Sequence, residues 1–427
     1  MERRLGLNSK NSSKPPSSDG FKKLPPVSLR QKGKNPSGGQ NGHEGHTLQQ
    51  VSNPDKIIRH KLTTCPNCKN ALNNEVIGIT KRQVFDIPPV KMEVTEHQAE
   101  IKICPCCKKE VRAEFPFGVD IAAQYGSRIK AQAVYLNAQH FIPEDRLQTI
   151  FQDIYGTQIA TAKLVKFSND LADKLGDFCQ RVLEKIKQVP LKHMDETGFR
   201  IGGKTTWLHV ASNDKLTYYH HSSKRKSLLE GVTGTVMHDH WKPYYQMNTT
   251  HALCNAHHLR ELQALIEGEE AWAKKMKKLL LFMHKYRQFF PDKIPQEKLK
   301  RLEKIYTRII EEGLEYHLKR RKNLAYSGVM TRKRYPGHNL LLRLSDYRGD
   351  VLRFLYDPIV PFTNNQAEQD LRMMKLKQKI PGRFRTPKGA SVFVTLRSFL
   401  STARKQRWDI FTALSNSING EIPLPVN

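Results

Sequence analysis

Apolar and polar positions change their period four times along the chain. Residues 1–50 show almost no apolar periodicity and carry seven Ser, five Pro and seven Gly, so a disordered or extended basic arm is expected there. Over 56–117 the stretches EVIGIT and QVFDIPPVKMEVTEHQAEIKI alternate with period two, as strands do. Over 127–187 the period lengthens. SRIKAQAVYLNAQHFIP, EDRLQTIFQDIYG and TAKLVKFSNDLADKLGDFCQRVLEKI predict three amphipathic helices, and the short link YGTQIATA gives the last two a helix-turn-helix layout. From Pro190, PLKHMDETGFRIGG, KTTWLHVASN and KLTYYHHSS read as strands separated by GG and ND turns. KRKSLLEGVTG reads as a short helix, TVMHDHW as a fourth strand, and a fifth is expected near HALCN. Residues 255–350 are mostly helical by pattern, and a further helix over 363–380 opens at Thr363-Asn364-Asn365, good capping types.

Three meandering strands, a helix and another strand is the order of a ribonuclease-H-like sheet. The expected class is therefore α/β: a ribonuclease-H-like catalytic domain preceded by a zinc ribbon and a helical, helix-turn-helix-like module.

Charge narrows the partner. Lys and Arg number 71 against 41 Asp and Glu, a net +30, which points to a polyanion, either nucleic acid or an anionic membrane surface. No apolar run is long enough to span a bilayer, so an integral membrane protein is not expected. Residues 271–350 hold 21 basic and 8 acidic residues, and 371–410 hold 11 and one.

The seven cysteines include Cys65-Pro66-Asn67-Cys68 and Cys104-Pro105-Cys106-Cys107. Two such knuckles close a tetrahedral Zn²⁺ site, with Cys65, Cys68, Cys104 and Cys107 as ligands because Cys106 breaks the spacing. The intervening 35 residues are more than a compact ribbon needs.

Acids isolated in so basic a chain are informative, because phosphodiester chemistry uses carboxylates that converge on hard divalent ions. Asp195 falls in the first strand of the sheet and Asp239 at the end of the fourth, neighbours in a sheet of that order. Glu368 fits a third acid on a returning helix. Asn365, Glu368 and Arg372, at i, i+3 and i+7, line one helical face suited to metal and phosphate. Asp370 falls on another face and is expected to be solvated, and Glu196 points to the opposite side of the strand from Asp195. His193, His238 and His240 are read as hydrogen-bonded neighbours. Cys254 and His257 look like half a zinc site with no second half, and are read as structural. Arg383 and Arg385, beside the turn Pro381-Gly382, are expected near the scissile phosphate.

With these residues in view, the chain resembles the insertion sequence 66 family of bacterial transposases over nearly its whole length. NSKNSSKPPSSDG is similar to the family's Ser/Pro-rich lead, CPNC and CPCC to its zinc-binding segment, and YGSRIKAQAVYLNAQHFIPEDRLQTIFQDIYG to its helical module. HMDETGFR, HDHWKPYY, HALCNAHHLREL and, most specifically, FTNNQAEQDLRMMKLKQKIPGRFRT resemble its catalytic core. The resemblance implies a DDE transposase whose acids fall on Asp195, Asp239 and Glu368, with a helical insertion at about 255–355. Cys254 and His257 resemble a C-x-x-H signature that follows the second Asp in several DDE superfamilies. The chain departs from the family at MERRLGLNSKNSS, which lacks the leucine-rich coiled-coil lead of many members and counts against self-association through it.

The expected domains are an arm over 1–55, a zinc ribbon over 56–120, a helical DNA-binding module over 121–188, the catalytic domain over 189–410 and a tail over 411–427. The expected activity is cleavage of DNA strands by water and transfer by the freed 3′-hydroxyl, with Mg²⁺ or Mn²⁺ at the acids and a structural Zn²⁺. Expected partners are double-stranded DNA (element ends and target), further copies of the chain in a synaptic complex, and accessory proteins where the element encodes them. The expected location is the cytoplasm, on the nucleoid when DNA is bound. The rival readings are a zinc-containing DNA-binding regulator without chemistry and a stand-alone nuclease on the same fold.

Overall fold

A computed structural model describes residues 48–426 apart from 89, 327–334 and 381, and the side chains of 322–326 are likewise undescribed. Most of the expected basic arm and the Pro381 of the expected turn thus lie outside the described residues. The chain forms two compact units, Val27–Glu93, described from residue 48, and one that runs from Val94.

The first unit has no strand among its described residues, only a bridge between Thr64 and Ala71 that closes the Cys65 knuckle. In the second, β1 (Ile101–Ile103) pairs antiparallel with β2 (Glu110–Arg112) around the other knuckle. The long alternating stretches yield no more strand than this. Their apolar side chains, such as Ile77 and Val84, are exposed, so no core is present to hold the alternation in a larger sheet.

Four helices follow: α1 (Ser127–His140), α2 (Glu144–Tyr155), α3 (Thr161–Lys174) and α4 (Gly176–Gln188). The third predicted helix is thus two. The chain leaves the helical conformation at the buried Leu175, whose N–H is shared between Leu171 O and Ala172 O, and Gly176 after it is a poor helix former.

The strands β3 (Leu191–Ile201), β4 (Lys204–Ser212), β5 (Thr217–Ser222), β6 (Thr235–His238) and β7 (Thr250–Leu253) form one sheet in the order β5-β4-β3-β6-β7. β3 and β4 are joined by Gly202-Gly203, both at positive φ, the two-residue turn that suits right-twisted strands. The predicted helix over 224–234 is absent. This stretch is irregular, with Gly231 and Gly234 at positive φ and Leu228 and Leu229 turned to the core. Gly234 is confined: a Cβ there would lie 2.6 Å from the Pro190 carbonyl oxygen, which accepts the Thr235 N–H at 2.7 Å and starts the pairing of β6 with β3.

Beyond β7 the helices α5 (Asn255–Glu267), α6 (Ala271–Gln288), α7 (Gln296–Tyr326), α8 (Pro336–Asp346) and α9 (Arg348–Tyr356) build a separate core around Trp272, Tyr306 and Leu341. The chain returns through α10 (Asn365–Lys379), α11 (Pro387–Lys405) and α12 (Ile410–Ile418). One sheet face, with Met194 and Ala211, shares a core with α1–α4, α11 and α12, so the boundary drawn at 188 crosses continuous packing. The opposite face, with Phe199, Ile201, Leu208 and Val210, packs on Ala367, Leu371 and Met374 of α10. The span expected as a tail instead holds most of α12, capped from Asp409, whose Ala413 and Leu414 are core residues. The edge strand β5 is closed by α11, since Thr217 N donates to Thr402 Oγ1 at 3.1 Å and Tyr219 N to Ser398 Oγ at 3.0 Å. No helix among the described residues is long and apolar enough to cross a membrane.

Candidate active site

β3 and β6 run parallel with His193 opposite Met237. Two residues further along each chain stand Asp195, still in β3, and Asp239, the residue after β6. Asp195 has the parity of Phe199 and Ile201 and so faces α10. Its Oδ1 accepts the Glu196 N–H at 2.8 Å, and Asp239 Oδ1 accepts the Trp241 N–H at 2.9 Å in the turn that ends β6. Glu368 lies in the first turn of α10, where the helix dipole favours a carboxylate.

Burial pushes the Asp195 carboxyl well above its ordinary range, and the charges of Glu196, Asp239 and Glu368 push it further. Burial also raises Asp239, against the Trp241 N–H and the Arg225 charge. The charges of Asp239 and Glu368 are thus both felt at Asp195. A divalent ion fits such a cluster, because its charge restores the ionisation that burial and mutual repulsion oppose.

Three residues at the site were missed in the sequence. Arg225 donates to Glu196 Oε1 from Nε at 2.9 Å and from Nη2 at 2.7 Å, while Tyr244 OH donates to Glu196 Oε2 at 2.7 Å. The Arg225 guanidinium is sandwiched by Trp207 and Trp241, 4.9 and 4.2 Å from the ring centres. Glu196 thus points away from Asp195 but into a buried, satisfied network. The third is Asn364, 2 % exposed. Its Nδ2 donates to Met194 O at 2.8 Å, its Oδ1 accepts from His193 Nδ1 at 2.8 Å, and its N–H donates to Cys254 Sγ at 3.1 Å. Its carbonyl also accepts the Glu368 N–H at 3.2 Å. One side chain and its backbone tie β3, the start of α5 and the start of α10 together. The twin Asn of TNN was the available signal, but helical spacing singles out Asn365, which is exposed at the helix start, and says nothing of its buried neighbour.

Cys254 and His257 do have a third companion. Cys254 Sγ lies 4.0 Å from Glu368 Oε1, and Arg260 Nη2 lies 3.9 Å from Glu368 Oε2. Of the histidines beside the acids, His193 and His238 are hydrogen-bonded as expected, whereas the buried Nδ1 of His240 has no partner. His193 meets Asn364, and His238 stacks on Tyr244 and contacts His251 at 3.1 Å. His240 packs edge-on against Tyr347.

The remaining residues divide. Arg372 is exposed on α10. Arg383 and Arg385 are exposed, but the intervening Phe384 is held at the far end of β3, where its carbonyl accepts the Gly202 N–H at 3.1 Å. From Glu368 to Lys379 the helix climbs roughly 16 Å at ~1.5 Å per residue, so these arginines leave the acid cluster instead of standing beside it. Asp370 is not solvated: it is paired with Lys405 at 2.9 Å, both side chains largely buried. Arg397, counted in the same basic segment, is buried and donates to Gln139 Oε1 at 2.5 Å.

Each cysteine knuckle has the same local build. Lys69 N donates to Cys65 O and Cys65 N to Asn70 O, both at 2.9 Å. Lys108 N donates to Cys104 O at 2.9 Å and Cys104 N to Lys109 O at 2.8 Å. Lys69 and Lys108 both take positive φ. N–H groups of Cys68 and then Asn67 lower the Cys65 thiol, and those of Cys107 and then Cys106 lower Cys104. Cys107 therefore occupies the place of Cys68, and Cys106 that of Asn67. Thiols lowered by inward N–H groups suit a thiophilic cation.

Comparison with protein families gives three matches. The model of the transposase IS66 family matches residues 122–392, that of the zinc-finger binding domain of transposase IS66 matches 63–108, and a family of unknown function matches 1–49. No curated protein matches the chain.

Proposed function

The chain belongs to the IS66 family of transposases, and from that premise we propose that it cleaves and joins DNA strands with Asp195, Asp239 and Glu368 as its metal-holding acids. The observation that carries this reading is the parallel register of β3 and β6, which brings Asp195 and Asp239 to one end of the sheet, with the Glu368 charge felt at Asp195. Strand order and the return of α10 to the sheet support a ribonuclease-H-like catalytic domain with its insertion over α5–α9.

Mg²⁺ or Mn²⁺ held by the three acids would supply activation of the attacking oxygen and stabilisation of the leaving oxygen. Asp195, crowded by like charge, has its pKa raised, and a bound cation would offset that charge. Arg225, locked by Glu196 and two indoles, positions the turn that carries Asp239. Asn364 holds the Glu368 helix against β3. Arg372 and Asn365, exposed on the same helix, contact DNA phosphate, and Arg383 and Arg385 extend that contact away from the acids. Arg397 and Lys405 are internal and take no part. The reaction needs no covalent enzyme–DNA intermediate, since water and then a 3′-hydroxyl are the nucleophiles.

Cys65, Cys68, Cys104 and Cys107 hold the structural zinc of the zinc-finger domain. That domain and the helical module over 121–188 bind the element ends. Synapsis of two ends requires further copies of the chain, with accessory proteins where the element encodes them. Cytoplasmic action on the nucleoid follows from a DNA substrate.

The test is strand cleavage and transfer on the element's own ends with Mg²⁺. Asp195→Ala, Asp239→Ala and Glu368→Ala should each lose cleavage by at least about a thousandfold, since metal stabilisation is worth several kcal/mol at ~1.36 kcal/mol per tenfold, with end binding retained. Near-normal cleavage by any one of them removes that residue from the site.

A further inference from the structure

One thiol, one imidazole and one carboxylate meet where α5 and α10 begin. A ligand atom from each of Cys254, His257 and Glu368 lies within 4.8 Å of the other two. His257 Nδ1 is buried and has no hydrogen-bond partner, although buried polar atoms are normally satisfied. The Cys254 sulfur accepts the Asn364 N–H at 3.1 Å, and the His257 backbone N–H donates to Cys254 O at 3.2 Å, which ties the two residues into one turn.

We infer that Cys254, His257 and Glu368 form a site for a borderline dication of the Zn²⁺ class, separate in chemistry from the all-oxygen site for Mg²⁺. Sulfur and nitrogen beside one carboxylate oxygen match Zn²⁺, whereas Mg²⁺ takes oxygen ligands. With Zn–S near 2.3 Å and Zn–N or Zn–O near 2.0–2.2 Å, tetrahedral ligands stand roughly 3.5 Å apart. The ligand atoms stand within 4.8 Å of one another, so the cluster must tighten by at most about 1.3 Å. Binding releases the thiol proton to solvent. The resulting thiolate and the Glu368 carboxylate then balance the two positive charges, which suits a buried place, and a fourth position stays open. Where Glu368 turns both oxygens from one cation to the other, the two sites compete for it. If Glu368 is the third catalytic acid, as proposed above, Zn²⁺ at this site withdraws it from Asp195 and Asp239 and inhibits cleavage.

The site is tested without DNA. Full-length protein, its zinc-finger domain loaded with one equivalent of Zn²⁺, is titrated with Co²⁺, and thiolate-to-cobalt charge transfer and the visible ligand-field bands are recorded. Wild type should take up one Co²⁺ with a charge-transfer band that Cys254→Ser lacks. His257→Ala, which leaves the Cys254 packing in place, should bind Co²⁺ at least about tenfold more weakly. Should Cys254→Ser fail to fold, His257→Ala and Glu368→Gln decide by the same bands. Spectra identical in wild type and the folded variants overturn the site. Cleavage in Mg²⁺ with and without added Zn²⁺ is read separately. Loss of Glu368 dependence there would sink the catalytic reading and leave the cobalt result standing.

Discussion

The cysteine knuckles and the carboxylate cluster are built on opposite plans. Each knuckle is local: Cys65 to Asn70 and Cys104 to Lys109 close on themselves through neighbouring N–H groups, with exposed surroundings and little strand. The carboxylate cluster is assembled from residues that only tertiary structure brings together, on a strand, a post-strand turn and a returning helix, all at least partly buried. A local site is specified by spacing and needs its metal to order it. An assembled site is specified by packing, and its supports matter as much as its reacting groups.

The largest effect expected from this contrast is on the local side. Cys104→Ala should abolish tight zinc binding by the zinc-finger domain, worth ~10–16 kcal/mol in zinc-finger peptides, whereas Cys106→Ala should leave zinc content unchanged. Metal analysis of protein purified without added metal checks both. The reverse result would assign the second knuckle to Cys106. Thermal unfolding of the sheet should not respond to either variant, because β3–β7 share no ligand with the knuckles.

On the assembled side, Asn364→Ala should cost about 2–4 kcal/mol, since it strands the buried His193 ring and the Met194 carbonyl. Asn365→Ala, one residue on and exposed, should stay within ~0.5 kcal/mol. Denaturant midpoints compare the two, and equal destabilisation would dissolve the distinction between support and surface.

A smaller effect is the pH dependence of the metal-free protein. The Asp195 pKa is raised on folding, so the unfolded chain gives up this proton first. Stability should be full below the unfolded value of ~3.9 and fall as pH rises towards the folded value, then level off. Asp195→Asn should flatten that fall, and Mg²⁺ should offset it. A fall that survives in Asp195→Asn would place the coupling on another group.

The smallest concerns DNA. Replacing Arg383 and Arg385 by Ala should reduce the slope of log affinity against log salt by roughly 1 for each phosphate no longer neutralised, equally for specific and non-specific DNA. Arg397→Lys, an internal change, should leave the slope alone. An unchanged slope in the arginine pair would make that loop a solvated surface.

Much of this is legible in the sequence for reasons that the contrast explains. The knuckles follow from C-P-x-C spacing because everything they need is within six residues. The strands β3–β5 and the acids on β3 and after β6 follow from alternation and glycine turns. What escapes depends on cover or on distant partners. Leu175 continues the apolar helical period yet ends α3, because its burial and not its period decides the bend. Asp370 has the pattern of a surface acid, and only Lys405, arriving from the far end of α11, makes it internal. Cys254 and His257 lack a second half nearby because that half is Glu368, more than a hundred residues on. Arg225 sits in a stretch that reads as helix, and nothing in the pattern of that stretch announces its two tryptophans.

The meeting of Asn364 and Cys254 also has a meaning in polymer terms. It joins residues 110 apart, and beside it Asn255 N donates to Phe362 O at 3.1 Å. Helices α5–α9 therefore leave and re-enter the sheet through one clasp, like a bight of rope tied at its neck. Closing such a loop costs entropy that grows only logarithmically, about 0.6 kcal/mol for each doubling of length. The contents of the bight are nearly free to lengthen, shorten or be exchanged, while the knot must stay as it is. A cassette of different size spliced between Asn255 and Phe362 should leave the carboxylate cluster intact, provided that Cys254 and Asn364 still meet.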